Sequence, residues 1–319
     1  MKTRISLILR IVASGLLAYF IFRRLDLAAL FDVVSGANLG WGTLGLLSIF
    51  LANILGAYKW KLLANPVFHT SVSFYLFFRS YLIGFFYAMF VPGGLFVGEV
   101  MKGWRVTRRE EKKTQLILSV FADRLTGFLA LGILLALTFY VSPALWHDQV
   151  ARIGLAASFF ISVAGFFIFF NKAIIQILFF VVRQFIRVIV KKRHDALERF
   201  KELFLHYHSQ KKLVVFSVFL SCAVHALWAL SVYFSAKALG VPVPFMYLLW
   251  IYLIIGILFF LPISYAGIGI REWVFVYFLS LVNIPSETAL ALSLLFFGLQ
   301  VISAFAGGIF EFHTAFKKS

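Results

Sequence analysis

The sequence predicts an all-α, polytopic integral membrane protein with about six full transmembrane helices and two re-entrant or broken-helix hairpins in an inverted repeat. Three observations carry that expectation. The chain is 62% hydrophobic and only 13% charged, with a mean hydropathy of +0.95, which excludes a soluble globular domain. Its apolar runs are separated by a few strongly basic segments, the pattern of spans joined by lipid-facing loops. Finally, one kind of interruption occurs twice. The first is Phe90-Val91-Pro92-Gly93-Gly94-Leu95-Phe96-Val97-Gly98-Glu99, and the second runs from Phe260-Leu261-Pro262 through Gly267-Ile268-Gly269-Ile270-Arg271-Glu272. Each starts with an aromatic–aliphatic–proline step, passes through glycines and ends at a glutamate. Proline blocks helix continuation and glycine tolerates the bend. Within a membrane, broken backbone is tolerated only where protein or a water-filled cavity receives it, so paired breaks point to a transporter-type binding site.

Taken in order, residues 5–22 follow Lys2 and Arg4 and read as an uncleaved first helix starting in the cytoplasm. Residues 41–58 form a second span, and Trp60 between Lys59 and Lys61 reads as a cytoplasmic interface anchor. Residues 72–91 lead to the first break. Lys102, Arg105, Arg108, Arg109, Lys112 and Lys113 then mark a cytoplasmic loop. Two basic segments on one side require the intervening chain to double back, as a hairpin entering along 72–91 and returning along 95–104. Residues 115–141 cross outward, the 142–151 loop has no Lys or Arg, and 153–170 return. The stretch 173–212 is basic, and Arg183, Arg187 and Lys191 share a helix face suited to an anionic leaflet, although 173–190 also fits the end of a further span. Residues 213–236 cross outward. Residues 246–282 surround the second break as two half-helices or two full ones, and 288–311 return to place Lys317 and Lys318 inside. The chain is thus one membrane domain: a first half at 1–141, a connecting span and basic segment at 142–212, and a second half at 213–319. Both termini are expected in the cytoplasm.

The net charge of +17 is spread over segments between spans, so anionic headgroups rather than nucleic acid are the expected partner. A single cysteine, Cys222, excludes an intrachain disulfide and a multi-cysteine metal site. His225 shares a helix face with Cys222 and reads as a hydrogen-bonded core residue. No nucleophile motif and no phosphate-binding loop is present, so no cofactor and no catalytic residue is assigned. Charge inside a membrane is costly and demands a reason. The candidate binding set is therefore Pro92, Gly93, Gly94, Glu99, Lys102, Asp123, Arg124, Pro262, Gly267, Gly269, Arg271 and Glu272. Arg271 and Arg124 offer forked donors to phosphate, the glycine amides add donors, and Glu99 and Glu272 suit a cationic group or a proton. The structural alternative is that Asp123-Arg124 and Arg271-Glu272 tie the halves together. Neighbours in a helix do not face each other, so each of these residues should then find its partner elsewhere. Arg79 is expected to snorkel toward the cytoplasmic face.

Lys59-Trp60-Lys61-Leu62-Leu63, Pro92-Gly93-Gly94 with Gly98-Glu99 and Arg105, Asp123-Arg124 with Gly127, and Pro262 with Gly267-Ile268-Gly269-Ile270-Arg271-Glu272 occur in this order. Together they resemble the flippase-like transmembrane region of the lysylphosphatidylglycerol synthetase family, from about residue 5 to 312. The bifunctional members of that family append a cytosolic aminoacyl-transferase domain. With the chain ending at Ser319, the resemblance implies the translocation part alone: a lipid translocase of the bacterial inner membrane that handles an anionic phospholipid or lipid-linked headgroup. Glu99 stands where the family more often has aspartate, and Ile263-Ser264-Tyr265-Ala266 replaces a more glycine-rich run. The carboxylate is kept and the choice of headgroup stays open. Two other readings are a membrane-embedded enzyme acting on a lipid phosphate or sugar, and a non-transporting scaffold for an envelope lipid-modifying enzyme.

Overall fold

The computed structural model describes residues 35–68, 70–91, 94–107, 113–177, 194–259 and 267–316. The expected first helix at 5–22, the basic face of Arg183, Arg187 and Lys191, and Pro92, Gly93 and Pro262 lie outside these residues. The described residues are helical throughout, in the order α1 (Leu39–Phe68), α2 (Phe74–Phe90), α3 (Gly94–Val106), α4 (Lys113–Tyr140), a 3-10 turn (Pro143–Leu145), α5 (Gln149–Phe170), α6 (His194–Ser209), α7 (Lys211–Ala238), α8 (Phe245–Leu258), α9 (Ile270–Ser280) and α10 (Ser286–Phe316). Five of these, α1, α4, α5, α7 and α10, are long and apolar enough to cross a bilayer. Large apolar side chains such as Phe159, Phe160, Phe219 and Ile309 remain on the outside, as expected of surfaces that face lipid tails. The protein is a polytopic membrane protein.

The two breaks each divide a pair of helices. At the first, α2 ends where Val91 turns extended, and Gly94 opens α3 with φ +43°. At the second, α8 ends at Leu258, and Gly267 (φ +75°) and Gly269 (φ +87°) precede α9. Helices of 17, 13, 14 and 11 residues are too short to span the roughly 30 Å of hydrocarbon at 1.5 Å per residue. Within 246–282 the described helices α8 and α9 are both of half length, which favours the half-helix alternative over two full spans.

The hairpins enter from opposite ends of the bundle. At one end, Asn38 N donates to Ala238 O (2.8 Å), tying the start of α1 to the end of α7. The loop after α4 lies at this end too, where Tyr277 near the end of α9 donates to Asp148 Oδ2 (2.7 Å). Tyr247 near the start of α8 donates to Phe278 O (2.5 Å), so the start of α8 and the finish of α9 both lie at this end. At the other end, Trp60, Ala64, Val72, Phe77, Val106 and Leu116 form one cluster, which places the start of α2 and the finish of α3 beside the end of α1. Helix α10 runs past both hairpins, meeting α9 at Phe275–Phe296 and α2 at Gly307.

Close packing holds the first hairpin together and seats α10 against it. A Cβ on Gly98 would stand 2.5 Å from the Gly84 carbonyl oxygen, and one on Gly307 would stand 2.0 Å from the Leu82 carbonyl oxygen. Helix backbones approach this closely only where side chains are absent, the usual means of association among membrane helices.

Two expectations at the end of α1 need correction. The second span does not stop at residue 58, since α1 continues to Phe68. Trp60 is not an interface anchor: it is fully buried, donates to Ser119 Oγ (2.9 Å) and packs edge-on against Phe77. Extending the helix carries Lys59 inward as well.

Candidate functional site

The first ionic group forms where α1, α3 and α4 meet. Glu99 and Lys102 stand one turn apart on α3, and Lys102 Nζ lies 3.0 Å from Glu99 Oε2. The same Nζ lies 2.9 Å from Asp123 Oδ2 on α4. Lys59 of α1 reaches Asp123 Oδ1 at 2.9 Å, and also donates to Ser221 Oγ of α7 (2.9 Å) and Asp123 O (3.1 Å). Arg124 pairs with Glu99 through Nη2 and Oε1. Asp123 and Arg124 thus turn to different partners, as expected of neighbours in a helix. Lys102 also rests over the rings of Tyr81 and Trp60, at 4.7 and 4.9 Å from their centroids, and only 2% of its side chain is exposed. A buried ammonium held by two carboxylates and two aromatic faces is far better compensated than one left alone in hydrocarbon.

The group is asymmetric in two respects. Among the described residues it contains three cations, Lys59, Lys102 and Arg124, and two carboxylates, Glu99 and Asp123. Exposure rises in one direction, from 2% at Lys102 and 5% at Asp123 to 19% at Glu99 and 35% at Arg124. Arg124 is the open end. The second hairpin approaches this end: the Tyr252 ring of α8 lies 6.0 Å from the His225 ring, and His225 meets Gly127, one turn beyond Arg124 on α4. His225 of α7 closes that side, with Nε2 3.2 Å from Gly127 O, the core role expected of it.

The second group sits at the start of α9. Glu272 Oε2 accepts from Gly269 N (2.6 Å), closing the first turn of the helix with its own side chain. The other oxygen, Oε1, accepts from Arg271 Nη2. Arg271 Nε donates to Ser293 Oγ of α10 (3.2 Å), and its guanidinium lies 4.1 Å from the Phe297 ring centroid. The expectation that Arg271 and Glu272 find separate partners is therefore overturned. At the N-terminus of a helix the glutamate folds back toward the cap, which brings its carboxylate beside the preceding residue. Gly267 serves the turn: a Cβ there would stand 2.2 Å from the Phe259 ring.

Of the expected site residues, Glu99, Lys102, Asp123 and Arg124 come together, and Gly269, Arg271 and Glu272 come together. No ion pair or hydrogen bond joins the two groups among the described residues. Lys59, Tyr81 and Ser221 belong to the first group and are not among the site residues expected from sequence, which places Lys59 at the cytoplasmic interface. Lys59 had one legible signal: it stands in an uninterrupted helical segment, between Gly56-Ala57-Tyr58 and Trp60, with no turn residue to take it outside. Among the described residues no cluster of three His, Cys, Asp or Glu side chains is arranged to hold a metal ion.

Residues 7–308 match the family described as the lysylphosphatidylglycerol synthase TM region. The chain belongs to that family. Neither the curated proteins nor the solved structures contain a match. Family membership and five long apolar helices agree on a multi-pass membrane protein, and the match covers both hairpins and both ionic groups.

Proposed function

We propose that this member of the lysylphosphatidylglycerol synthase TM-region family is a lipid translocase, moving an amphipathic envelope lipid between the leaflets of the bacterial cytoplasmic membrane. The observation that carries the reading is the part-exposed Arg124 at the end of an otherwise buried ionic group, which takes in Tyr81, Glu99 and Lys102 of the first hairpin and meets Tyr252 of the second through His225 and Gly127, one turn beyond Arg124. Two half-length hairpins from opposite ends bring polar groups to mid-depth while the long helices keep lipid on the outside. A headgroup held at Arg124 has its charge compensated by protein while its tails stay in the bilayer. The positive-inside pattern supports cytoplasmic termini.

The test is leaflet exchange in liposomes containing the purified protein, read by access of labelled phospholipids to a membrane-impermeant quencher. Parent protein should exchange at least one headgroup class, and folded Arg124→Gln should lose most of that rate. No exchange with any headgroup would remove the translocase reading. Exchange that is equal in parent and Arg124→Gln would keep the activity and reject the site. Tags inserted at 109–112 and after Lys318 should report the same side of the membrane.

A further inference from the structure

The geometry points to Glu99 as a built-in stand-in for the substrate: its carboxylate occupies Arg124 until the phosphodiester of a lipid headgroup displaces it. This rests on the translocase reading and names its substrate class, an anionic phosphodiester lipid.

Three observations lead there. The first group has three cations and two carboxylates among the described residues, so one added monoanion brings it to three against three. A phosphodiester carries that single charge and presents two equivalent oxygens to a guanidinium fork. Next, Arg124 has unused capacity. Its Nη2 is committed to Glu99, whereas its Nε is buried with no hydrogen-bond partner among the described residues. A buried guanidinium edge left unmatched is costly unless an acceptor arrives. Finally, Glu99 has somewhere to go. Its Oε2 already lies 3.0 Å from Lys102 Nζ, so releasing Arg124 does not strand the carboxylate. Asp123 differs, because both its oxygens are engaged by buried lysines, and Arg271 differs because its partner Glu272 is fixed by the cap. The Arg105–Glu311 pair between α3 and α10 differs too, because both its members are more buried (10% and 15%, against 35% and 19% for Arg124 and Glu99) and its carboxylate also accepts from the uncharged Tyr87 hydroxyl rather than from a lysine.

The apolar surroundings fit a lipid rather than a free ion. Tyr252 stacks on Trp228 (6.4 Å, 4° between planes), and Trp228 meets Phe85 of the first hairpin edge-on (5.5 Å). Rings from α2, α7 and α8 thus form one aromatic wall, which joins α4 one turn beyond Arg124 through His225.

The experiment measures lipid retained by immobilised full-length protein in an uncharged detergent, using dioleoyl phosphatidylglycerol, dioleoylglycerol with the same chains, and inorganic phosphate as competitor. Parent protein should prefer phosphatidylglycerol over dioleoylglycerol by about tenfold or more, and Arg124→Gln should abolish the preference. Glu99→Gln removes the stand-in and should tighten phosphatidylglycerol binding by about tenfold. A purely structural ion pair gives the opposite sign, so weakening in Glu99→Gln comparable to Arg124→Gln overturns the proposal. If Arg124→Gln does not fold, the sign at Glu99→Gln still decides. Equal retention of the two lipids overturns it too. Displacement by inorganic phosphate at matched concentration assigns the site to a soluble anion and overturns the lipid assignment. Leaflet exchange on the same samples separates the two claims: headgroup-selective binding without exchange removes the translocase reading and leaves the site, and exchange without headgroup preference does the reverse.

Discussion

The two hairpins resemble each other in sequence and differ in how they treat charge. At the first, the ions are contributed by α1, α3 and α4, positions as far apart as Lys59 and Asp123, and one member, Arg124, is 35% exposed. At the second, Arg271 and Glu272 neutralise each other within one helical turn, with side chains 1% and 5% exposed. The first group holds helices together and stays open at one end. The second finishes a helix terminus and is sealed. A recurring motif thus supplies the same local geometry twice, a break followed by a short helix, while the surrounding helices decide whether the charge beyond it is open or closed.

That contrast can be broken at several points. The largest effect is expected from Asp123→Leu, which leaves Lys59 and Lys102 without their shared carboxylate. Breaking a buried ionic group this way costs roughly 3–5 kcal/mol, so the variant should lose most of its monodisperse fraction on gel filtration in detergent. Next comes the crossing that holds the first hairpin together. Gly98→Ala drives a methyl group against the Gly84 carbonyl, and overpacking of this kind costs about 1–3 kcal/mol, to be read as a lower midpoint of thermal unfolding. The sealed pair should behave differently from Asp123. The double variant Arg271→Met/Glu272→Gln removes both charges, keeps an acceptor for Gly269 N, and should stay within about 1 kcal/mol of the parent, as replacement of a whole buried pair often does. A loss as large as that of Asp123→Leu would show that the second group also carries an essential load and would erase the distinction. The smallest effect is expected for Tyr277→Phe, which removes the hydrogen bond to Asp148 that anchors the second hairpin at its own end. The cost should be about 1 kcal/mol, without change in leaflet exchange.

Much of the architecture is legible from local rules. Apolar runs of span length fixed which segments are long helices, and Pro-Gly and Gly-x-Gly steps fixed where two helices break, because lipid offers the backbone no hydrogen-bond partners and only continuous helix or protein-covered breaks are permitted. Loop charge located the doubling-back of 72–104, and the pairing of α2 with α3 agrees. Trp60 shows where local reading misleads. A tryptophan flanked by lysines looks interfacial, yet α1 runs ten residues beyond the expected end at 58, and Ser119, 59 residues away in sequence, supplies the indole's partner.

The sequence by itself therefore determined the membrane class, the two breaks, and several of the charges that lipid would not tolerate unaided. Only the tertiary structure decided how those charges divide. Partner choice depends on distances of a few ångströms between helices distant in sequence, and no periodicity encodes that. Lys59 became a buried partner of Asp123 because α3 and α4 bring a carboxylate to it, and Arg271 turned to its own neighbour because Glu272 caps the helix it begins. Arg124 was left at the open end because the helices that bury Lys102 to 2% exposure leave 35% of its side chain uncovered.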